Sequence, residues 1–217
     1  MKGTTLIKDV QHVCAQIEPR LNSQSKLVVG IAGPPASGKS TLAEAVVAHL
    51  NKASGEASDI AILVPMDGYH LDNGLLETRG LLARKGAPET FNATGFCNDV
   101  AQIKTASSDA YFPCFDRSRD IAIANAICVP PEVKVVVVEG NYLLLKNKPW
   151  VGLKDLFAVT VFLSPGLEVL KERLQRRWID HGLSVDLANE RTTENDLPNA
   201  ELVLQQSAFA DIVLTQI

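Results

Sequence analysis

The sequence predicts an α/β fold of three layers, in which helices cover both faces of a five-stranded, mostly parallel β-sheet. Short apolar segments alternate along the chain with helical stretches, an order typical of parallel sheets. Two of these segments, 135–138 and 159–163, are apolar at consecutive positions, as strands buried on both faces are. With 217 residues, 46% of them hydrophobic, the chain is long enough to bury such a core as one domain over 1–217.

The individual elements follow from local patterns. Strands are predicted from apolar segments at 27–32, 60–64, 133–138, 157–163 and 211–214. Helices are predicted from apolar residues on one face at about 4–18, 39–52, 72–84, 94–106, 165–181, 184–194 and 199–208. The first helix places Leu6, Val10 and Val13 on one face between polar residues, unlike a signal peptide. Residues 107–132 have no clear pattern, and we expect a surface excursion there rather than a second domain.

Composition argues against several classes of partner. The chain has 21 basic and 25 acidic residues, a net charge of -4, and no basic run that would contact a nucleic acid backbone. Its four cysteines show no CxxC or CxxH spacing, so we expect neither a zinc site nor disulfides, and we expect a reducing cytoplasm. No segment approaches the roughly 20 apolar residues of a membrane span. The sequence leaves the oligomeric state open, a homodimer included.

A glycine-rich segment between the first strand and the second helix carries the strongest functional signal. It reads GPPASGKS and has the spacing Gly-x4-Gly-Lys-Ser/Thr of a phosphate-binding loop. In such loops the backbone amides surround an anion, the lysine reaches the outer phosphates, and the following hydroxyl ligates magnesium. The helix that follows adds its positive end. An ordinary strand-to-helix turn would not show this pattern with both flanks. The residues predicted to bind nucleotide are Gly33, Pro34, Pro35, Ala36, Ser37, Gly38, Lys39, Ser40 and Thr41.

Two acidic residues follow predicted strands, where ligands collect in open parallel sheets. Asp67, after the second strand, is a candidate for accepting a proton from a substrate hydroxyl, with Tyr69 beside it. Its alternative role is to satisfy turn amides. Glu139, at the end of the third strand, is a candidate magnesium ligand together with Ser40, and Asn141 lies beside it. Its alternative is a loop acid with a purely local role.

Basic residues crowd one helix after the fourth strand. Arg173 and Arg177 lie four residues apart on one face, so they could clamp a phosphate during its transfer, and Arg176 lies between them. The alternative is a solvated helix in which Glu172 pairs with Arg176. His70, a single histidine beside a turn, is expected to be structural.

Taken together, the motifs resemble the P-loop kinase family that includes uridine kinase, phosphoribulokinase and bacterial pantothenate kinase. Its markers occur in order, as GPPASGKS, MDGYH, RKGAPETFN, PCFDRS, VVVVEGNYLL, RRWIDHGLS and NDLPNA. The resemblance is nearest to small bacterial nucleoside-kinase-like proteins, some described as kinases of fructose transport systems. It implies a P-loop NTPase fold, ATP and Mg²⁺ as cofactors, Asp67 as catalytic base and Glu139 as the magnesium-associated acid. It also implies a mobile lid at about 171–195 that bears Arg173, Arg176 and Arg177.

The resemblance leaves the phosphoryl acceptor open. The segment that binds uridine in uridine kinases is replaced here by Ala87-Pro88-Glu89-Thr90-Phe91-Asn92, which lacks the histidine. We therefore expect a small sugar or polyol, fructose-like, whose hydroxyls would be bound by charged residues. These are Arg84, Glu89, Asp116 and Arg117. A nucleoside or pantothenate is the alternative acceptor, and a nucleotide-binding regulator without transfer is the alternative of another class. A switch GTPase is disfavoured because no Asn-Lys-x-Asp signature occurs.

Overall fold

The computed structural model describes residues 3–22, 25–55 and 58–215, and a parallel sheet forms its centre. The strands are β1 Leu27–Ala32, β2 Ala61–Pro65, β3 Ala110–Asp116, β4 Ile121–Val129, β5 Val135–Gly140, β6 Val159–Leu163 and β7 Ile212–Leu214. Five of them form one sheet in the order β2-β5-β1-β6-β7, and every neighbouring pair is parallel. The predicted five-stranded sheet is therefore confirmed, with strand ends that differ by one or two residues.

The helices also follow the predicted order. They are α1 Gly3–Ile17, α2 Lys39–Ser54, α3 Asn73–Thr78, α4 Ala93–Gln102, α5 Leu167–Asp180, α6 Val185–Arg191 and α7 Leu197–Gln206. The helix predicted at 72–84 is shorter than expected, because α3 ends before Gly80, whose φ of 67° is typical of a residue that closes a helix. A π-helical turn at Thr192–Asp196 joins α6 to α7. None of the helices within the described ranges has the length and apolar character needed to cross a membrane.

Helices cover the sheet on both faces, as the alternation of side chains along its strands requires. On β1, Leu27, Val29 and Ile31 pack with α1 and α2 on one face. Val28 and Ala32 point to the other face, where α4, α7 and the segment after β5 complete the second half of the core. One buried cluster of apolar side chains lies on each face of the sheet under these helices, so the three-layer prediction is confirmed.

The segment at 107–132 folds differently from the surface excursion expected there. It contains β3 and β4, which pair antiparallel as a two-stranded sheet with a register shift between Phe112 and Cys114. This hairpin packs on the 3₁₀ turn Met66–Tyr69 that follows β2. A Cβ atom on Gly68 would overlap the carbonyl oxygen of Pro113, so only glycine permits this approach. The hairpin thereby reaches the edge of the sheet where the predicted site residues lie.

Candidate active site

The loop between β1 and α2 has the conformation of an anion cradle. Ala36 and Gly38 adopt positive φ angles of 60° and 93°, which turn successive backbone amides toward one side. Gly33 is confined as well, because a Cβ atom there would lie 2.7 Å from Ser37 Oγ and 2.9 Å from the carbonyl oxygen of Leu163. Ser37 Oγ is buried without a hydrogen-bond partner. The loop therefore offers donors that a polyanion would satisfy, and its residues fit the phosphates of a nucleotide.

Strand order brings two carboxylates to this loop. Strand β5 lies between β2 and β1, and Glu139 is in register with Pro65 on one side and Ile31 on the other. The carboxyl ends of all three strands thus meet at one edge, where Asp67 follows β2 and Lys39 begins α2. Burial lowers the pKa of Lys39, and the opposite charges of Glu139 and Asp67 offset only part of this decrease.

Asp67 is held in its ionised form. Its side chain is 18% exposed and forms an ion pair with Arg117, which comes from the turn of the β3–β4 hairpin. Burial alone would raise the pKa of Asp67, but the charges of Arg117 and Lys39, joined by that of His70 once it is protonated at low pH, outweigh burial, so the pKa lies below its ordinary value. At neutral pH the carboxylate can therefore accept a hydrogen bond from a hydroxyl group.

Glu139 has the opposite character. It is only 3% exposed, and burial raises its pKa to about 7 although Lys39, Arg117 and a hydrogen bond from Ser40 act against the rise. Its Oε2 atom is buried without a partner. A buried carboxylate oxygen beside the Ser40 hydroxyl fits a hard cation such as Mg²⁺, which uses few protein ligands when nucleotide phosphates supply the others. Among the described residues no cluster of three metal-ligating side chains occurs.

Helix α5 delivers arginines to the other side of the cradle. Arg173 Nη1 lies 3.4 Å from the carbonyl oxygen of Ala36 in the phosphate loop. One turn further, Arg177 lines the cavity and lies 3.9 Å from Asp196, and burial lowers its pKa. The two residues predicted to act from one helix face therefore do reach the site. Arg176, between them, is exposed, and so is Thr41.

A cavity opens beside Lys39 and Asp67, and its far wall contains His70, which was expected to be structural, and Lys85, which was not among the predicted site residues. His70 lies between the rings of Phe91 and Phe115, at centroid distances of 4.1 and 4.6 Å. Burial lowers the pKa of His70, so at neutral pH its Nδ1–H donates to the carbonyl oxygen of Asp67 at 2.7 Å. Lys85 Nζ donates to Asp120 at 2.8 Å and lies on the same wall. The position of His70 three residues after Asp67 had already indicated that it lies near the site.

The remaining wall comes from the last turn of α5 and from the segment after it. It is lined by Trp178, Arg191, Asp196 and Asn199 together with Asn141 after β5. Asn141 Oδ1 is buried without a partner, which agrees with its predicted place at a ligand. Arg117 and Asn141 are thus the predicted acceptor residues, besides Asp67 and Glu139, that the structure brings to this site.

Four other predicted acceptor residues lie outside the cavity. The Tyr69 hydroxyl donates to Asp99 at 2.7 Å, and its ring packs in the core on Phe96. Asp116 accepts hydrogen bonds from the backbone amides of its own hairpin turn and from Arg119, the local role of an Asx turn. In the next loop, Arg84 and Glu89 are 3.7 Å apart, and Arg84 also donates to Asn195 at 3.0 Å. All four side chains therefore have protein partners outside the cavity, and their roles in binding the acceptor stay predictions.

Comparisons with known proteins agree with this site. Over 204 residues, 91% of this chain and 86% of the relative, the chain is 33% identical to a Schizosaccharomyces pombe protein named as a "putative uridine kinase". A crystal structure described as a "putative fructose transport system kinase" from Silicibacter sp. TM1040 is 42% identical, with a TM-score of 0.87 over 94% of this chain and 98% of that one. YFH7 of Saccharomyces cerevisiae, at 18% identity, shares the fold with a TM-score of 0.84 over 98% and 99% of the two chains. No family model matches the chain.

The phosphate loop, the acid after β2 and the parallel sheet define a P-loop kinase, a phosphotransferase that uses ATP. Relatives at this identity cover nearly the whole chain. The chain belongs to the uridine kinase-like family of P-loop kinases, which the sequence motifs had indicated.

Proposed function

We propose that the protein transfers the γ-phosphoryl group of ATP to a hydroxyl group of a small sugar or polyol. The observation that carries this proposal is the meeting of Asp67, Lys39 and Glu139 at one sheet edge, between the anion cradle and a cavity. A γ-phosphate in the cradle would then face an acceptor hydroxyl in the cavity, and Asp67 would lie beside that hydroxyl.

Asp67 serves as the group that orients the acceptor hydroxyl and takes its proton. A carboxylate with a lowered pKa is a weak base, but phosphoryl transfer has a loose transition state in which the attacking oxygen keeps its proton until late. Orientation is then worth more than basicity. Arg117 holds Asp67 in the ionised form that this role requires.

Positive charge around the cradle stabilises the phosphoryl group during transfer. Lys39 reaches the outer phosphates, and Arg177 approaches from α5, while Arg173 contacts the loop itself. Ser40 and Glu139 would hold Mg²⁺, which would supply further neutralisation of the phosphate charge. The segment at about 171–195 acts as a lid whose closure excludes water, because water that entered would take the phosphoryl group instead of the acceptor.

The acceptor class rests on polar groups and on one relative. Asp67 and Asn141 present acceptor oxygens to the cavity, which suits a ligand with several hydroxyls. The solved structure at 42% identity is described as a putative fructose transport system kinase, whereas the Schizosaccharomyces pombe relative is named as a putative uridine kinase. Pantothenate kinase of Mycobacteroides abscessus, 28% identical over 145 residues, supports pantothenate as a further acceptor to test.

An ADP-release assay with MgATP tests this proposal. Hexoses, polyols, their phosphorylated and acidic derivatives, nucleosides and pantothenate are supplied one at a time. We expect that a compound of the sugar or polyol type stimulates ADP release and that Asp67→Asn abolishes this stimulation. Asp155→Asn, an exposed aspartate in the turn that precedes β6, is the matched control. If only a nucleoside stimulated ADP release, the acceptor would be a nucleoside rather than a sugar or polyol. A protein that binds ATP but responds to no hydroxyl compound would be a nucleotide-binding regulator instead.

A further inference from the structure

Arg191 is a cation of the cavity wall that forms no direct ion pair with a described residue, although the charge of Asp196 acts on it from a longer distance. It lines the cavity, its Nε atom is buried without a hydrogen-bond acceptor, and no ion pair to it occurs among the residues the structure describes. The three other cations of the wall outside the phosphate loop are each paired, Arg117 with Asp67, Lys85 with Asp120 and Arg177 with Asp196. A buried Nε–H donor without an acceptor is costly unless a ligand supplies one.

The orientation of Arg191 is fixed by Trp178. The guanidinium carbon lies 4.3 Å from the centroid of the indole, a cation–π contact. The indole is itself anchored, because Trp178 Nε1 donates to Asp196 at 2.5 Å. A charge held in this way loses little conformational entropy when it binds a ligand, which is typical of a recognition residue.

The neighbours of Arg191 place it on the acceptor side of the cavity. The turn that follows it contains Asn195, whose Nδ2 donates to the carbonyl oxygen of Lys85 at 3.1 Å. Arg191 thus belongs to the wall built with the 84–86 loop, which also carries the cavity residue Gly86. The phosphate loop has its own arginine, Arg173, which contacts Ala36.

We propose that the phosphoryl acceptor carries an anionic oxygen group, a phosphate or a carboxylate, that Arg191 binds. This inference rests on the proposed function and narrows it from neutral sugars and polyols to their phosphorylated or acidic derivatives. The planar guanidinium fits both groups, since each presents two oxygens to a pair of parallel N–H donors. The hydroxyl that receives the phosphoryl group then lies toward Asp67, and the anionic group lies toward Trp178.

Calorimetric titration of matched compounds tests this inference on protein saturated with Mg²⁺ and a non-hydrolysable ATP analogue. The pairs are fructose and fructose 6-phosphate, sorbitol and gluconate, and panthenol and pantothenate. We expect the charged member of at least one pair to bind at least about tenfold more tightly than its neutral partner. The first pair reports on a phosphate, and the other two report on a carboxylate.

Substitutions then assign the preference to a residue. Arg191→Gln is expected to reduce it to less than about threefold, and Arg191→Lys to restore part of it, because the charge returns without the planar fork. Arg79→Gln, at an exposed arginine after α3, is the matched control. Thermal midpoints of all variants establish that they fold.

Three results would overturn the inference. The first is that no charged compound binds more tightly than its neutral partner, and the second is that the preference survives Arg191→Gln. The third is a tenfold loss of affinity for the ATP analogue in Arg191→Gln, which would assign the guanidinium to the nucleotide. Failure of the proposed function looks different, since compounds would then bind without any stimulation of ADP release.

Discussion

At the scale of single residues, the site depends on a contrast between two carboxylates. Asp67 is kept ionised by Arg117, whereas burial raises the pKa of Glu139 to about 7. Lys39 lies near both and is attracted by each. One carboxylate is therefore ready to orient a hydroxyl at neutral pH, and the other gains its full charge only when a cation or a higher pH favours it.

Replacement of Lys39 tests the phosphate loop directly. Lys39→Ala removes the charge that positions the outer phosphates, so we expect acceptor-dependent ADP release to fall by about 100-fold or more. Lys52→Ala, at an exposed lysine near the end of the same helix, is the control and should retain activity. Unchanged activity of Lys39→Ala would contradict the assignment of the loop.

The raised pKa of Glu139 makes a prediction about stability. The folded protein holds a proton on Glu139 up to about pH 7, whereas the unfolded chain loses it near pH 4.5. Between these values the folded state binds more protons, so the contribution of Glu139 to the free energy of unfolding falls as pH rises. Glu139→Gln should therefore stabilise the protein more at pH 8 than at pH 5, measured by denaturant unfolding. An equal effect at both pH values would show that Glu139 titrates normally.

At the scale of elements, the contact between the β3–β4 hairpin and the turn at Met66–Tyr69 positions Asp67. The hairpin supplies Arg117 as well as one side of the aromatic wall around His70. Its close approach depends on Gly68, which lies against the backbone of Pro113. In the proposed mechanism, binding of the acceptor and orientation of Asp67 are therefore coupled through this packing contact.

Gly68→Ala tests this coupling. The added Cβ atom would overlap backbone atoms of Pro113, so we expect a loss of about 1–3 kcal/mol in the free energy of unfolding. We also expect Gly68→Ala to raise the KM for the acceptor more than the KM for ATP, because the hairpin moves and the phosphate loop does not. Gly152→Ala, where a Cβ atom has no neighbour within 4 Å, is the control. A variant with normal stability and KM would separate the hairpin from the site.

The sequence predicted those elements whose pattern comes from burial in the central layers. The consecutive valines of β5 and the helical spacing of α1 are direct consequences of packing against the sheet, and both were recognised. Strand β4 was missed because most of its side chains are exposed and Asn125, at φ 55°, interrupts the alternation of its apolar residues. Ile121 and Ile123 before that break, with Ile127 after it, were the available signal.

The site was predictable only where a local motif fixed the chemistry. Lys39, Asp67 and Glu139 each follow or end a strand, and strand order alone brings them together. The far wall is assembled by contacts between segments about 110 residues apart, such as Lys85 with Asn195. Spacing along the chain carries no information about such contacts, so the positions of Arg191 and Trp178 in the wall could not be predicted. Glu89 lies 3.7 Å from Arg84 and outside the cavity, and its role at a ligand stays a prediction.

At the scale of the whole molecule, nucleotide binding should stabilise the fold through the contacts between the cradle and α5. A ligand at 100 times its Kd adds about 2.7 kcal/mol to the free energy of unfolding, which raises the Tm of a chain of this size by several degrees. We expect this rise with a non-hydrolysable ATP analogue and Mg²⁺ but not with AMP, which lacks the outer phosphates. Equal shifts with both nucleotides would place recognition outside the phosphate loop.

Single-turnover transfer from ATP labelled in its γ-phosphate tests the central claim most directly, since it shows where the phosphoryl group goes. With the acceptor identified by ADP release, the label should move to that compound in the wild-type protein. In Asp67→Asn the transfer rate should fall by about 10²- to 10⁴-fold while the ATP analogue binds with unchanged affinity. Transfer at the wild-type rate by Asp67→Asn, or label found only in inorganic phosphate, would contradict the mechanism.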